Sequence, residues 1–309
     1  MGKLGKRMEV ADLTALGDAL AADPDAVIAA EEQRYHDAVD AVAAECTEKQ
    51  IRVILLCGPS AAGKTTTSHR LCSAVEKTGR RVCRISLDDF YLPKEAMPTW
   101  EDGRLNYEAP DCLELDKFAV TARELLTEGK TELPVYDFIV DRCVETIPTV
   151  CGPEDVIIVE GIHALNPAVT DCFAGLKTMK IYIDTRTDFW VNGRTVLPAR
   201  MLRLCRRVLR DLRHRGSDAT ETLGLWHYVR RGEELYIHPY RDTADVRINT
   251  AHGYEPFLYC ADLLECMAGA GETEEDLQAV RTILRCARRL SPIGGDRIPA
   301  DSLIQEFIS

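Results

Sequence analysis

Residues 51 to 67 read IRVILLCGPSAAGKTTT, and the reading of this stretch decides the rest. Val53, Ile54, Leu55 and Leu56 form a short apolar run bounded by Gly58-Pro59, the pattern of a strand buried on both faces. Gly58-x-x-x-x-Gly63-Lys64-Thr65 follows, the full P-loop pattern, and beyond it the sequence turns helical. The two glycines let the loop turn its N–H groups inward onto phosphate oxygens. The helix N-terminus near Gly63 adds its dipole and its unpaired N–H groups. Gly58, Pro59, Ser60, Ala61, Ala62, Gly63, Lys64, Thr65 and Thr66 are therefore the candidate nucleotide-binding residues. Lys64 is expected to reach the β- and γ-phosphates, and the Thr65 hydroxyl to sit on Mg²⁺. The chain is expected to bind a nucleoside triphosphate, ATP or GTP.

Composition narrows the setting. The 309 residues suffice for one large α/β domain with appendages. A net charge of −12 argues against a general binder of nucleic acid or of membrane surfaces. The twelve cysteines are scattered without a C-x-x-C pair, and several lie in apolar runs (Cys57, Cys72, Cys205). That usage suits a reducing compartment, and with the seven histidines it shows no zinc-site spacing. The N-terminal MGKLGKRMEV lacks the apolar run of a signal peptide. No stretch approaches the ~18 apolar residues of a transmembrane helix. A cytoplasmic protein is expected.

Along the chain, residues 1–48 read as a helical N-terminal appendage. Asp23-Pro24 divides it, and Val27, Ala30, Tyr35, Ala38, Val39 and Val42 suggest an apolar stripe. Residues 49–252 read as the core. Its strands are expected at 81–87, at Val156 to Glu160, at Met179 to Asp184 and at 245–249; helices are expected at 66–77, 114–128, 198–214 and 218–236. Residues 133–150 look like two extended segments. Residues 253–309 read as C-terminal helices at 256–268 and 273–290 with a Pro/Gly-marked tail. Strands alternating with helices imply a mostly parallel, doubly wound sheet.

Two further constellations bear on the reaction. Asp88 falls at the carboxyl end of the second strand, twenty-four residues beyond Lys64. Ligands of open α/β sheets bind at that edge. A small-molecule kinase needs a base there to orient and deprotonate an acceptor hydroxyl. A strand-end turn acid is the plainer reading of the same residue. Glu160 ends a later strand. The other constellation is the arginine-laden helix, where Arg203, Arg207 and Arg210 recur at i, i+4, i+7 on one face. Met201, Cys205, Val208 and Leu212 mark the opposite, apolar face. A solvated basic face is the bland alternative. Beside a P-loop, the row with Arg215-Gly216 reads better as a lid at about 203–220 that sets guanidinium groups on the transferring phosphoryl.

These residues together resemble the uridine kinase and phosphoribulokinase family of P-loop kinases. The matching segments are GPSAAGKTT at 58–66, SLDDFY at 86–91, PVYDF at 134–138, VIIVEGIHAL at 156–165 and RRVLRDLRHRG at 206–216. They keep family order and spacing over roughly residues 51–250. RRGEE at 230–234, ADVRIN at 244–249 and the tail DRIPADSLIQEFI resemble most the bacterial uridine kinase-like (nucleoside kinase) proteins.

The resemblance implies a P-loop nucleoside triphosphate hydrolase fold. It is a nucleoside monophosphate kinase-like α/β/α sandwich with a helical lid and a small β-hairpin substrate module. It implies transfer of the γ-phosphoryl of ATP or GTP to a nucleoside 5′-hydroxyl, most naturally of uridine or cytidine. Asp88 matches the catalytic carboxylate. Tyr91 and Glu108 match nucleoside contacts, although the family carries Asp at the second position. Tyr136 and Phe138 match aromatic residues beside the base. Arg207 matches a substrate contact, and Arg210 and Arg215 match lid arginines that act with Lys64 in catalysis. Thr65, and Glu160 through water, match the Mg²⁺ site. Where the family's base-reading histidine stands, this chain has Ile139-Val140-Asp141-Arg142, which makes Asp141 and Arg142 candidate specificity residues. A further lid arginine is replaced by Ser217. Family members often assemble, so a homo-oligomer is compatible with the resemblance.

Two other readings stand beside this one. A kinase of another polyol or sugar phosphate uses the same machinery, and a nucleotide-sensing regulator without turnover keeps only the binding. His163 reads equally as a substrate contact or a turn residue. Trp226 and Tyr228 read first as core.

Overall fold

The computed structural model describes residues 8–138 and 140–309. Ile139 and the first seven residues, on which the signal-peptide reading partly rests, lie outside the described residues. From the N-terminus the elements are β1 (Glu9–Asp12), α1 (Leu13–Ala22), α2 (Pro24–Glu48), β2 (Val53–Cys57) and α3 (Lys64–Glu76). Then come β3 (Val82–Ser86), α4 (Leu115–Thr127), β4 (Lys130–Asp137), β5 (Arg142–Val150), β6 (Val156–Glu160), α5 (Pro167–Thr170), β7 (Thr178–Asp184), β8 (Thr187–Val191) and β9 (Arg194–Leu197). The last part holds α6 (Ala199–His214), α7 (Ala219–Gly232), α8 (His238–Arg241), β10 (Val246–Asn249), α9 (Glu255–Cys266), α10 (Glu274–Ala287) and α11 (Gln305–Ile308).

The central sheet has five strands in the order β10-β7-β2-β6-β3, every pairing parallel. β2 and β6 are buried at every position because both faces are covered. Ile54, Leu56, Val156 and Ile158 point into one apolar cluster, while Val53, Leu55, Ile157 and Val159 point into the other. Each such side chain contributes about 1.5–3 kcal/mol of burial. The first cluster also takes in α2, α6, α7, α9, α10 and the C-terminal tail; the second takes in α4 and one face of β4.

The N-terminal segment departs from its purely helical reading. Glu9–Asp12 pairs in parallel with β8, and β9 completes a three-stranded sheet at 187–197, where the sequence reading placed no element. Asp12 then accepts from the N–H groups of Thr14 and Ala15, and Asp23 from that of Ala26, so each acid caps the helix that follows. Pro24 fits the first turn of α2, where no N–H is needed. The buried stripe of α2 runs through Ile28, Glu32, Tyr35, Val39, Val42 and Cys46; Ala30 is exposed and Val27 half-buried. The stripe accommodates Glu32 because Tyr254 and Ser302 donate to its carboxylate at 2.5 and 2.6 Å.

Candidate active site

Parallel pairing brings the carboxyl ends of β2, β3, β6 and β10 to one edge of the sheet, and the chemistry-bearing residues gather there. The P-loop runs from β2 into α3, with Ala61 and Gly63 both in the left-handed region (φ 59° and 86°). Lys64 Nζ arches back to the Pro59 carbonyl at 3.3 Å. Behind the loop, the Thr250 hydroxyl donates to the Ala62 carbonyl at 2.8 Å, so the end of β10 fixes the loop's backbone. Ser68 does the same from within α3, donating to the Thr65 carbonyl at 2.8 Å.

Two carboxylates face this loop from neighbouring strands. Glu160 Oε1 accepts from Ser86 Oγ at 2.9 Å and from Arg84 Nη1 at 3.1 Å. Its Oε2 is buried and has no hydrogen-bond partner among the described residues. Burial, reinforced by the nearby Asp88, pushes the Glu160 carboxyl up to about 7 against the pull of Lys64. Asp88 lies in the short 3₁₀ turn that continues β3. Among the described residues no hydrogen bond or ion pair engages its carboxylate. Its neighbour Asp89 is committed elsewhere, accepting from the Tyr136 N–H at 3.2 Å and so tying the hairpin to the end of β3.

The arginines of α6 divide into two groups. Ten of the helix's sixteen residues are buried, among them Arg203, Arg206 and Arg207. Arg203, placed by periodicity in the same row as Arg207 and Arg210, instead forms a two-pronged pair with Glu233 at 2.6 Å and lies over Trp226. Glu233 opens a π-helical segment that continues α7 and turns the carboxylate inward. Arg206 is fully buried on Glu255 at 2.7 Å and also donates to the Thr250 carbonyl. Both pairs hold α6 against the core.

The second group converges on Asp211. Arg207 lies 3.3 Å from it, Arg210 2.8 Å and Arg215 3.6 Å, and Arg207 Nη1 also donates to the Ser60 hydroxyl of the P-loop at 2.7 Å. Of the segment expected as a lid, Leu212 to Gly216 and Asp218 are exposed. Leu212, expected on the apolar face with Cys205 and Val208, is 43% exposed.

On the acceptor side, Tyr91, Tyr136 and Phe138 form a ring cluster with centroids 4.9–5.9 Å apart. The Tyr91 hydroxyl donates to the Tyr107 carbonyl and that of Tyr136 to the Leu92 carbonyl. Phe138 is half exposed at the rim. Glu108 is pressed against Gly232, where any Cβ would stand 2.2 Å from the Glu108 Cβ, so only glycine lets α7 come this close. Burial pushes the Glu108 carboxyl up to about 7, Arg207 opposing, and its Oε2 has no hydrogen-bond partner among the described residues. Asp141 sits in the hairpin turn with φ 51° and pairs with Lys94 at 3.6 Å. Arg142 is exposed at the start of β5.

His163 is 1% exposed, and burial lowers it to about 4, so it sits neutral inside the turn after β6. Trp226 is core, whereas Tyr228 stacks at the surface on Trp100 with centroids 5.7 Å apart. Sequence reasoning passed over Ser86, Arg84 and Asp211; Asp89 was expected beside Asp88 at the strand's carboxyl edge, and the structure gives it to the hairpin instead. For Asp211 a signal existed: it is four residues from both Arg207 and Arg215, hence on their face of the helix.

Fold and site together define a P-loop kinase, a phosphotransferase with an alcohol acceptor. A family model described as "Phosphoribulokinase / Uridine kinase family" matches residues 53–253, and the chain belongs to that family. The uridine kinase of Staphylococcus epidermidis is 30% identical over 64% of this chain and 87% of its own length. That of Staphylococcus carnosus is 31% identical over 63% and 86%. A solved D-glycerate 3-kinase from Cryptococcus neoformans var. grubii covers 80% of both chains at 19% identity, with a TM-score of 0.32. That likeness is too loose to bear on the acceptor.

Proposed function

We propose that the protein transfers the γ-phosphoryl group of ATP or GTP to the 5′-hydroxyl of a nucleoside, uridine or cytidine. The observation that carries the reading is the Asp88 carboxylate, without a hydrogen-bond or ion-pair partner among the described residues, at the edge where the P-loop opens, next to a Glu160 that Ser86 and Arg84 already hold. A carboxylate with no structural duty at that place is available to take the acceptor's proton. Lys64 and the backbone of Gly58–Thr66 bind the triphosphate. Arg207, Arg210 and Arg215, held together by Asp211, meet the charge that spreads over the transferring phosphoryl.

The donor set fits Mg²⁺: a hydroxyl from Thr65 and the buried Oε2 of Glu160, unpartnered among the described residues, oxygen ligands of the kind a hard cation takes. Bound there, Mg²⁺ would offset phosphate charge. The nucleoside base is assigned to the ring cluster of Tyr91, Tyr136 and Phe138, and the ribose hydroxyls to Glu108. A base presenting an amine at the hairpin turn bonds Asp141 directly, whereas one presenting a carbonyl there needs the Lys94 ammonium.

The uridine kinases among the relatives support a pyrimidine nucleoside acceptor. The family description also includes phosphoribulokinase, so a polyol or sugar phosphate is the competing acceptor, and Glu108 suits vicinal hydroxyls in either. A panel of nucleosides, polyols and sugar phosphates in a coupled ADP-release assay separates them. Turnover is expected with uridine and cytidine. Turnover with a sugar and with no nucleoside removes the nucleoside assignment. In Asp88→Asn, turnover is expected to fall by at least about a thousandfold with ATP affinity retained. Wild-type turnover in that variant rules Asp88 out as the base.

A further inference from the structure

The C-terminal tail lies against the P-loop. The Thr66 hydroxyl, in the first turn of α3, donates to Glu306 Oε2 at 2.9 Å across 240 residues of sequence. Leu303 fills the space beside Gly63: a Cβ there would stand 2.6 Å from its Cδ1, so that glycine is required by packing as well as by its φ of 86°. The Phe307 ring lies 4.9 Å from the Arg206 guanidinium, and its carbonyl accepts from Arg213 Nη1 at 2.7 Å. Ser302 is tied to Glu32 of α2 at 2.6 Å. Leu303, Ile304 and Phe307 are completely buried, while Glu306 is half-buried.

We propose that residues 302–307 form a wall of the phosphate-donor site and that Glu306 is a positioning residue that acts on the donor through Thr66. The N–H groups of α3's first turn are the ones that receive phosphate oxygens. A threonine in such a turn has competing uses for its hydroxyl, which can swing onto neighbouring backbone groups. Glu306 accepts the hydroxyl's hydrogen bond and fixes that rotamer before the nucleotide arrives. The buried Arg206, close enough to feel the Glu306 charge, moderates the presence of a carboxylate beside an anion site. The inference rests on the assignment of the P-loop to the triphosphate and holds for any acceptor.

The test is calorimetric titration of the full chain with Mg-ATP, alongside steady-state kinetics. Glu306→Ala is expected to weaken ATP binding and raise the donor KM by about tenfold. Meanwhile kcat and the acceptor KM should move by less than about twofold. Glu306→Gln keeps an acceptor for Thr66 and should restore most of the loss, which a purely structural defect would not allow. In a Thr66→Val background, Glu306→Ala should have no further effect. Unchanged or tighter ATP binding in Glu306→Ala overturns the inference, the tighter case being the mark of a carboxylate that repels the phosphates. A wild-type chain that bound no nucleoside triphosphate would remove the P-loop assignment itself.

Discussion

Glu160 shows how a single side chain couples the site to the fold. Its strand buries it, its Oε1 is held by Ser86 and Arg84, and its Oε2 is left without a partner among the described residues. The carboxyl is raised to about 7, so the folded protein holds this proton more tightly than the unfolded chain does. The stability that follows is fully present below the ordinary glutamate value and is lost as pH rises through about 7. Glu108, also raised to about 7, acts in the same direction. Buried histidines such as His163 and His252 are lowered and act the other way up to about pH 6.5, so the carboxyl is read by difference. The stability of the nucleotide-free, metal-free wild type relative to Glu160→Gln, which is neutral throughout, should fall as pH rises from about 4.5 to about 7. A wild type that gained stability over Glu160→Gln across this range would contradict the burial assigned to Glu160.

At the scale of elements, the hairpin and α6 show different legibility. Both strands of the hairpin were visible as alternating extended segments, but not what aims them. Asp89 does so by accepting from Tyr136 N–H, a contact that joins residues 47 apart and leaves no mark in local sequence. Asp89→Ala removes one hydrogen bond, about 1 kcal/mol, and should raise the acceptor KM about fivefold with little change in the donor KM. Equal effects on both would mean that Asp89 serves the P-loop rather than the hairpin. The arginine row of α6 was plain in the sequence, yet periodicity could not divide it. Glu233 and Glu255 claim Arg203 and Arg206, and both acids arrive from elements later in the chain.

For the molecule as a whole, one apolar cluster joins Leu13 and Val39 near the N-terminus to Ile54 of the sheet and Phe307 near the C-terminus. The segments that composition set apart as 1–48, 49–252 and 253–309 share this core. Unfolding should then be a single cooperative transition, the same by far-ultraviolet circular dichroism and by tryptophan fluorescence. Phe307→Ala should lower the stability of that one transition by about 3–5 kcal/mol. Two separable transitions would show that the appendages fold apart from the sheet.

The sequence by itself determined the parallel sheet, the P-loop and the strand-end positions of Asp88 and Glu160. Those features are written locally, in apolar runs of strand length, in glycine spacing and in the punctuation between strand and helix. Tertiary structure alone decided which charges stay free for chemistry. Burial makes an unpartnered charge costly, and partners such as Arg206 with Glu255 or Thr66 with Glu306 lie 49 and 240 residues apart. It also decided that β1 is a strand, since Glu9–Asp12 is extended only because β8, far along the chain, offers it an edge.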